Sequence, residues 1–126
     1  MPIIGIGYDL TELARIRAAL ERHGDRFLNR CFTEEEIRFS RLHRDPVPRL
    51  AARYAAKEAA SKALGTGIAR GILWKDIEVV REPGERPLIF FHNRAADRAR
   101  ELGMRSAHVS LTHARDAAAA MVIIES

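Results

Sequence analysis

The chain reads as a single small α+β domain, a mostly antiparallel sheet packed with one long central helix. Three observations give that class. Residues 48–64 form an alanine-rich run of helix length and helix composition. Ile77-Glu-Val-Val80 and Leu88-Ile-Phe-Phe91 flank the turn-rich Glu82-Pro-Gly-Glu-Arg-Pro87, which is the pattern of a hairpin. Residues 108–112 and 118–124 are two further strand-like runs around the polar turn Ala114-Arg-Asp116.

Taken in order, residues 3–7 are a short apolar run and read as a buried strand. A helix is expected over 10–23, with Leu10, Leu13, Ile16 and Leu20 at helical spacing and Gly24 just past its end. Thr33 and Glu36 match a capping box for a helix that reaches about Leu42. Pro46 and Pro48 hold 43–48 as a loop, because each proline disfavours helix in the residue before it. The long helix follows and ends at Gly65 and Gly67, which take the left-handed cap conformation without steric cost. Past the hairpin, Asn93 is expected to cap a helix over 94–102 that Gly103 closes. No internal repeat, linker or low-complexity tract interrupts this series.

At 126 residues the chain has room for one domain with a real core, spanning 1–126. No apolar run approaches the ~20 residues of a bilayer span. The start, Met1-Pro-Ile-Ile-Gly-Ile-Gly7, lacks the basic residues and longer apolar stretch of a signal peptide. A cytoplasmic location, away from any membrane, is the expectation. The single cysteine, Cys31, excludes an internal disulfide framework and reads as a small apolar core residue. Net charge is +4, and only Lys57, Lys62 and Lys75 are lysines, so arginine dominates the cations. Arginine suits carboxylate and phosphate, which points to an acidic or phosphorylated partner. Aromatic residues make up 6% and are not interleaved with basic ones, which argues against nucleic acid.

The most informative stretch is Arg53-Tyr-Ala-Ala-Lys-Glu-Ala-Ala-Ser-Lys-Ala-Leu-Gly-Thr-Gly67. Arg53, Lys57, Glu58 and Lys62 recur at three- to four-residue spacings and are expected to share one broad helix face. A carboxylate among three cations, just before a glycine turn, suits a metal ion and a polyphosphate. A solvated face with intrahelical ion pairs fits the same spacing, and both readings stay open. Asp9 is either a helix N-cap or a metal ligand at the end of the first strand. Magnesium takes one or two protein carboxylates and fills its other positions with water and phosphate oxygens, so Asp9 and Glu58 would suffice, with Lys62 neutralising phosphate. The Gly65-Thr66-Gly67 turn follows its helix, so it is not a P-loop; it is either a cap or a nest of bare amides for an anion.

Ser110 and Thr112 fall on one face of their strand and His113 on the other, so Ser110 and His113 are no preassembled nucleophile and base. His113 suits phosphate binding or proton transfer, or is structural. His23, His43, His92 and His108 lack metal-ligand spacing and receive no role. Arg15, Arg22 and Arg26 form either a solvated surface or a basic face for an acidic protein.

Four segments in this order, Gly5-Ile-Gly-Tyr-Asp-Leu10, Arg53 to Gly67, Trp74-Lys-Asp-Ile-Glu78 and His108-Val-Ser-Leu-Thr-His113, resemble the holo-acyl-carrier-protein synthases, the small bacterial phosphopantetheinyl transferases. The family form with Phe at position 54 appears here with Tyr54. The resemblance implies transfer of the phosphopantetheine arm of coenzyme A to a serine of acyl carrier protein, in fatty acid biosynthesis, with release of adenosine bisphosphate. It implies Mg2+ on Asp9 and Glu58, and Lys62 with Gly65, Thr66 and Gly67 at the coenzyme phosphates. Thr112 and His113 would lie by the adenosine-phosphate end, and Arg53 is a further candidate for phosphate. Arg15, Arg22 and Arg26 would meet the acidic carrier. It also implies a homotrimer with active sites between subunits, where Asp9 and Glu58 face a neighbour's His113. Either Glu58 or a metal-bound water would take the serine proton. Two other readings are a non-enzymatic basic module and a magnesium-dependent hydrolase of nucleotide pyrophosphates.

Overall fold

The computed structural model describes residues 2–126. In chain order these form β1 (Ile3–Glu12), α1 (Leu13–His23), α2 (Asp25–Cys31), α3 (Glu34–Ser40), α4 (Val47–Ala63), β2 (Ile77–Val80), β3 (Leu88–Phe91), α5 (Asn93–Glu101), β4 (Ser106–His113) and β5 (Ala117–Glu125). A 3-10 turn over Trp74–Asp76 leads into β2. Every pairing is antiparallel, but the strands make two sheets, a three-stranded β1-β5-β4 and a separate β2-β3 hairpin.

The long helix lies across the larger sheet because both surfaces are trimmed of side chains. A Cβ on Gly7 would sit 1.8 Å from the Ala59 carbonyl oxygen, and one on Gly5 would sit 2.1 Å from that of Ala63. Only glycine permits this approach, and it fixes β1 against α4 at the two same-face positions that precede Asp9. Ala55, Ala59 and Ala63 then pack with Val122 and Ile124 of β5 in the main core. A second cluster joins Leu13, Ile16, Leu28, Cys31, Phe32 and Leu50 under α1 and α2.

Several boundaries differ from expectation for local reasons. Leu10 belongs to β1, not to the first helix: Leu10 and Thr11 pair with Ala119 and Ala118 of β5, and the helix starts at Leu13. Pairing with a full partner strand outweighs the helical spacing of Leu10. Gly24, with φ 54°, separates α1 from α2, and α2 was not anticipated. Asn93 is the first residue of α5 rather than its cap, and its side-chain amide donates to Asp76 Oδ1 at 3.1 Å. The capping box of α3 forms as expected, with Glu36 Nα–H on Thr33 Oγ1 and Thr33 N–H on Glu36 Oε1.

Glu36 has a further role. Its carboxylate pairs with the ammonium of Lys57 at 2.8 Å, both side chains fully buried, while Oε2 accepts the Val79 amide at 2.9 Å. Lys57 also donates to the carbonyls of Ile77 and Trp74. The pair therefore joins α3, α4, the 3-10 turn and β2, with its polar atoms satisfied, as a buried pair requires.

The face of the larger sheet turned away from α4 is uncovered. Tyr8 is 72% exposed, Leu10 66% and Ile6 55% on β1, beside Met121 on β5. With Ser110 and Thr112 of β4, Tyr8, Leu10 and Met121 border a depression of about 460 Å³. No helix among the described residues is long and apolar enough to cross a membrane.

Candidate active site

Alternation along β1 points Tyr8 and Leu10 to the open face and Asp9 inward, toward α4. Gly5 and Gly7, on the same face just before Asp9, bring α4 close enough for contact. Lys62 Nζ reaches Asp9 Oδ1 at 2.8 Å and the Tyr8 carbonyl at 3.2 Å. Thr11 Oγ1 adds a long hydrogen bond of 3.4 Å to Asp9 Oδ2. Glu58, one turn before Lys62, completes the group. Partial burial, and after it the charge of Asp9, raise the Glu58 carboxyl above the ordinary range; Arg15 and Lys62 pull the other way. Two neighbouring carboxylates beside a cation are a donor set suited to a divalent ion. No cluster of three or more metal-ligating side chains occurs among the described residues. Such a cluster is not needed for magnesium, whose remaining positions go to water and phosphate.

The expected single charged face of α4 is in fact two. Glu58 and Lys62 face β1, whereas Arg53 and Lys57 turn to the opposite side and are buried. A helix advances 100° per residue, so positions 53 and 57 stand well away from 58 and 62. Lys57 is spent on Glu36. Arg53 lies with its guanidinium 4.4 Å from the Phe39 ring centroid. It donates weakly to the Arg49 carbonyl at 3.4 Å, while its Nε and Nη2 are buried without a partner among the described residues. Beside it opens a cavity of about 330 Å³ lined by Phe39, His43, Arg49, Arg81, Pro83 and Gly84. Burial, with Arg81 and Arg49 adding to it against the pull of Glu36, lowers the Arg53 guanidinium to about 10. Arg49, Arg81 and His43 make this cavity basic, which fits an anion; Arg53 lies behind its wall, under Phe39 and Arg49. Sequence reasoning gave His43 no role and did not single out Arg49 or Arg81; nothing in the spacing links positions 43, 49 and 81.

The glycine turn caps its helix. The Gly65 amide donates to the Lys62 carbonyl, and those of Thr66 and Gly67 both donate to the Ser61 carbonyl. These amides are committed, so the bare anion nest does not form. What remains is a low surface, with Gly65 and Gly67 at φ 80° and 66°, beside Lys62.

Thr112 and His113 end β4, exposed, opposite Ala119 and Ala118 of β5. The whole of β5 separates them from β1, so within one chain His113 does not meet Asp9. Arg15, Arg22 and Arg26 are exposed on α1 and α2. Arg15 is also tied down, since its Nη2 donates to the Tyr54 hydroxyl at 3.2 Å.

Residues 5–122 match the 4'-phosphopantetheinyl transferase superfamily. The chain is 50% identical over 123 residues to a holo-[acyl-carrier-protein] synthase of Koribacter versatilis, covering 98% of each chain. Its fold is similar to the crystal structure of the Neisseria meningitidis holo-[acyl-carrier-protein] synthase, with TM-score 0.89, 32% identity and coverage of 99% of this chain and 100% of that one. It is also similar to the Helicobacter pylori synthase in complex with coenzyme A, with TM-score 0.84, 30% identity and coverage of 95% and 99%.

Proposed function

Because the chain belongs to the 4'-phosphopantetheinyl transferase superfamily, we propose that it is a holo-acyl-carrier-protein synthase. It transfers the phosphopantetheine arm of coenzyme A to a serine of apo acyl carrier protein, in fatty acid biosynthesis and in the cytoplasm. The serine oxygen forms a bond to the β-phosphorus, the pyrophosphate bridge breaks, and adenosine bisphosphate leaves. The observation that carries this reading is the convergence of Asp9, Glu58 and Lys62 from β1 and α4.

Asp9 and Glu58 are the residues that would hold Mg2+, which supplies charge neutralisation at the phosphates when bound. Lys62, 52% exposed at its side chain and already at Asp9, reaches outward to bind the pyrophosphate and neutralise charge as the bridge breaks. Glu58 is the candidate acceptor of the serine proton. Its raised carboxyl is a stronger base than an ordinary glutamate, and it lies where Asp9 and Lys62 orient the phosphate. Gly65, Thr66 and Gly67 offer the coenzyme a surface free of bulky side chains.

The basic cavity lined by Arg49, Arg81 and His43, with Arg53 buried beside it, is suited to another phosphate of the coenzyme. It lies on the side of α4 away from Glu58, so one coenzyme is better served by residues from two copies of the chain. His113 and Thr112, held apart from Asp9 by β5, fit the same arrangement. The uncovered Ile6, Tyr8, Leu10 and Met121 give a second copy an apolar surface to bury. These observations support a homotrimer with sites between subunits.

The carrier dependence of product release separates transferase from hydrolase. With coenzyme A and Mg2+, adenosine bisphosphate should appear only when apo carrier is present. Equal release without carrier would favour pyrophosphate hydrolysis.

A further inference from the structure

Trp74 and Tyr54 form a stack that the chemistry at Asp9 and Glu58 does not use. Their ring centroids lie 4.4 Å apart at an interplanar angle of 22°. Tyr54 is 6% exposed, one turn before Glu58 on α4, and Phe27 of α2 tilts against it at 6.3 Å. Trp74 in turn is held from behind, since its carbonyl accepts from the buried Lys57 ammonium at 3.1 Å. The stack is therefore anchored by the packing of the Tyr54 ring and by the backbone of Trp74, whose ring packs against the second core cluster. The Tyr54 hydroxyl accepts from Arg15, whose guanidinium carbon lies 5.2 Å from the Tyr54 ring centroid.

An exposed arginine on a surface helix samples many rotamers, and ordering it for a partner costs conformational entropy. Arg15 meets that cost before any partner arrives, because the hydroxyl and ring of Tyr54 already restrict it. The other basic residues of this face differ. No hydrogen bond or ion pair is found for Arg22 or Arg26 among the described residues, while Arg17 is taken by Asp45 at 2.9 Å. Arg15 also lies against Tyr54, one turn before Glu58 on α4.

We propose that Tyr54, backed by Trp74, is a positioning residue that holds Arg15 in place for an acidic group of the carrier protein. The inference rests on the transferase reading given above. It assigns work to the hydroxyl that distinguishes Tyr54 from phenylalanine, the removal of which leaves the stacked ring in place.

The test is Tyr54→Phe, alone and combined with Arg15→Ala, assayed with coenzyme A, Mg2+ and apo carrier. Tyr54→Phe should raise KM for the carrier by between about twofold and tenfold, the worth of one hydrogen bond, with kcat at saturating carrier and KM for coenzyme A nearly unchanged. Arg15→Ala should raise carrier KM further and flatten its dependence on salt. In the Arg15→Ala background, Tyr54→Phe should have no further effect. Equal effects of Tyr54→Phe with and without Arg15, or no effect in either, would overturn the positioning role. If Arg15→Ala leaves carrier KM unchanged while transfer proceeds, the carrier contact of Arg15 fails and the transferase reading stands. If the unaltered protein transfers nothing to any carrier, the transferase reading fails, and this inference with it.

Discussion

Asp9 and Lys62, separated by 53 positions in the chain, meet at 2.8 Å on the surface where β1 crosses α4. Glu58 stands one helical turn away from Lys62, and the three charges occupy a site that neither element could form alone. The convergence depends on Gly5 and Gly7, which let the helix backbone approach the strand.

Replacing Glu58 with Gln should remove the proposed base and one metal ligand while keeping the shape of the side chain. Transfer should fall by at least about a hundredfold. The folded state holds the Glu58 proton more tightly than the unfolded state does, so ionised Glu58 opposes folding. The contribution appears as pH rises from below the unfolded value through the raised folded value. Glu58→Gln should therefore gain melting temperature relative to the unaltered protein at pH 7 but not at pH 4, in the absence of metal. Melting curves at the two pH values check the sign.

A methyl group on Gly7 has no room, because its carbon would lie 1.8 Å from the Ala59 carbonyl oxygen. Gly7→Ala should destabilise the fold by about 3 kcal/mol, as overpacking does. It should also push Asp9 from Glu58 and lower kcat in whatever folded protein remains. Urea denaturation checks the first and steady-state kinetics the second. Gly67→Ala, with nothing within 4 Å but φ at 66°, should have a smaller effect that comes from backbone strain.

The buried Lys57–Glu36 pair should respond asymmetrically to substitution. Lys57→Met leaves a buried carboxylate unpaired and should lose about 3–5 kcal/mol. Lys57→Met with Glu36→Leu should recover a substantial part of that loss, measured by urea unfolding. The recovery will be incomplete, because Glu36 also supports the Thr33 and Val79 amides.

Placing a charge on the open sheet face should separate the proposed subunits. Leu10→Asp alters a side chain 66% exposed in the single chain, so the monomer fold should survive. Sedimentation should show a monomer in place of a trimer, with activity lost in parallel. A trimer that persists through Leu10→Asp and Tyr8→Asp would place the contact elsewhere.

Much of this arrangement was legible in the sequence, and what was missed has physical causes. The alanine run, the capping box at Thr33 and the hairpin around Pro83 and Gly84 are local signals, and the structure follows them. Leu10 fits a helical spacing as well as a strand alternation, and pairing with β5 decides for the strand over residues 10–12. Spacing alone groups the charges of α4 on one face, because three- and four-residue intervals chain together around a helix. Burial of Lys57 against Glu36 separates them, and no local pattern announces a pairing between positions 36 and 57. The cavity beside Arg53 depends on residues from α3, α4 and the β2–β3 hairpin, a contact of the fold rather than of any motif.

The most direct measurement is the mass of apo acyl carrier protein after incubation with this protein, coenzyme A and Mg2+. The carrier should gain one phosphopantetheine group on a serine, and Glu58→Gln should abolish the gain. A carrier whose mass stays unchanged, across fatty-acid and polyketide carriers alike, would contradict the assignment.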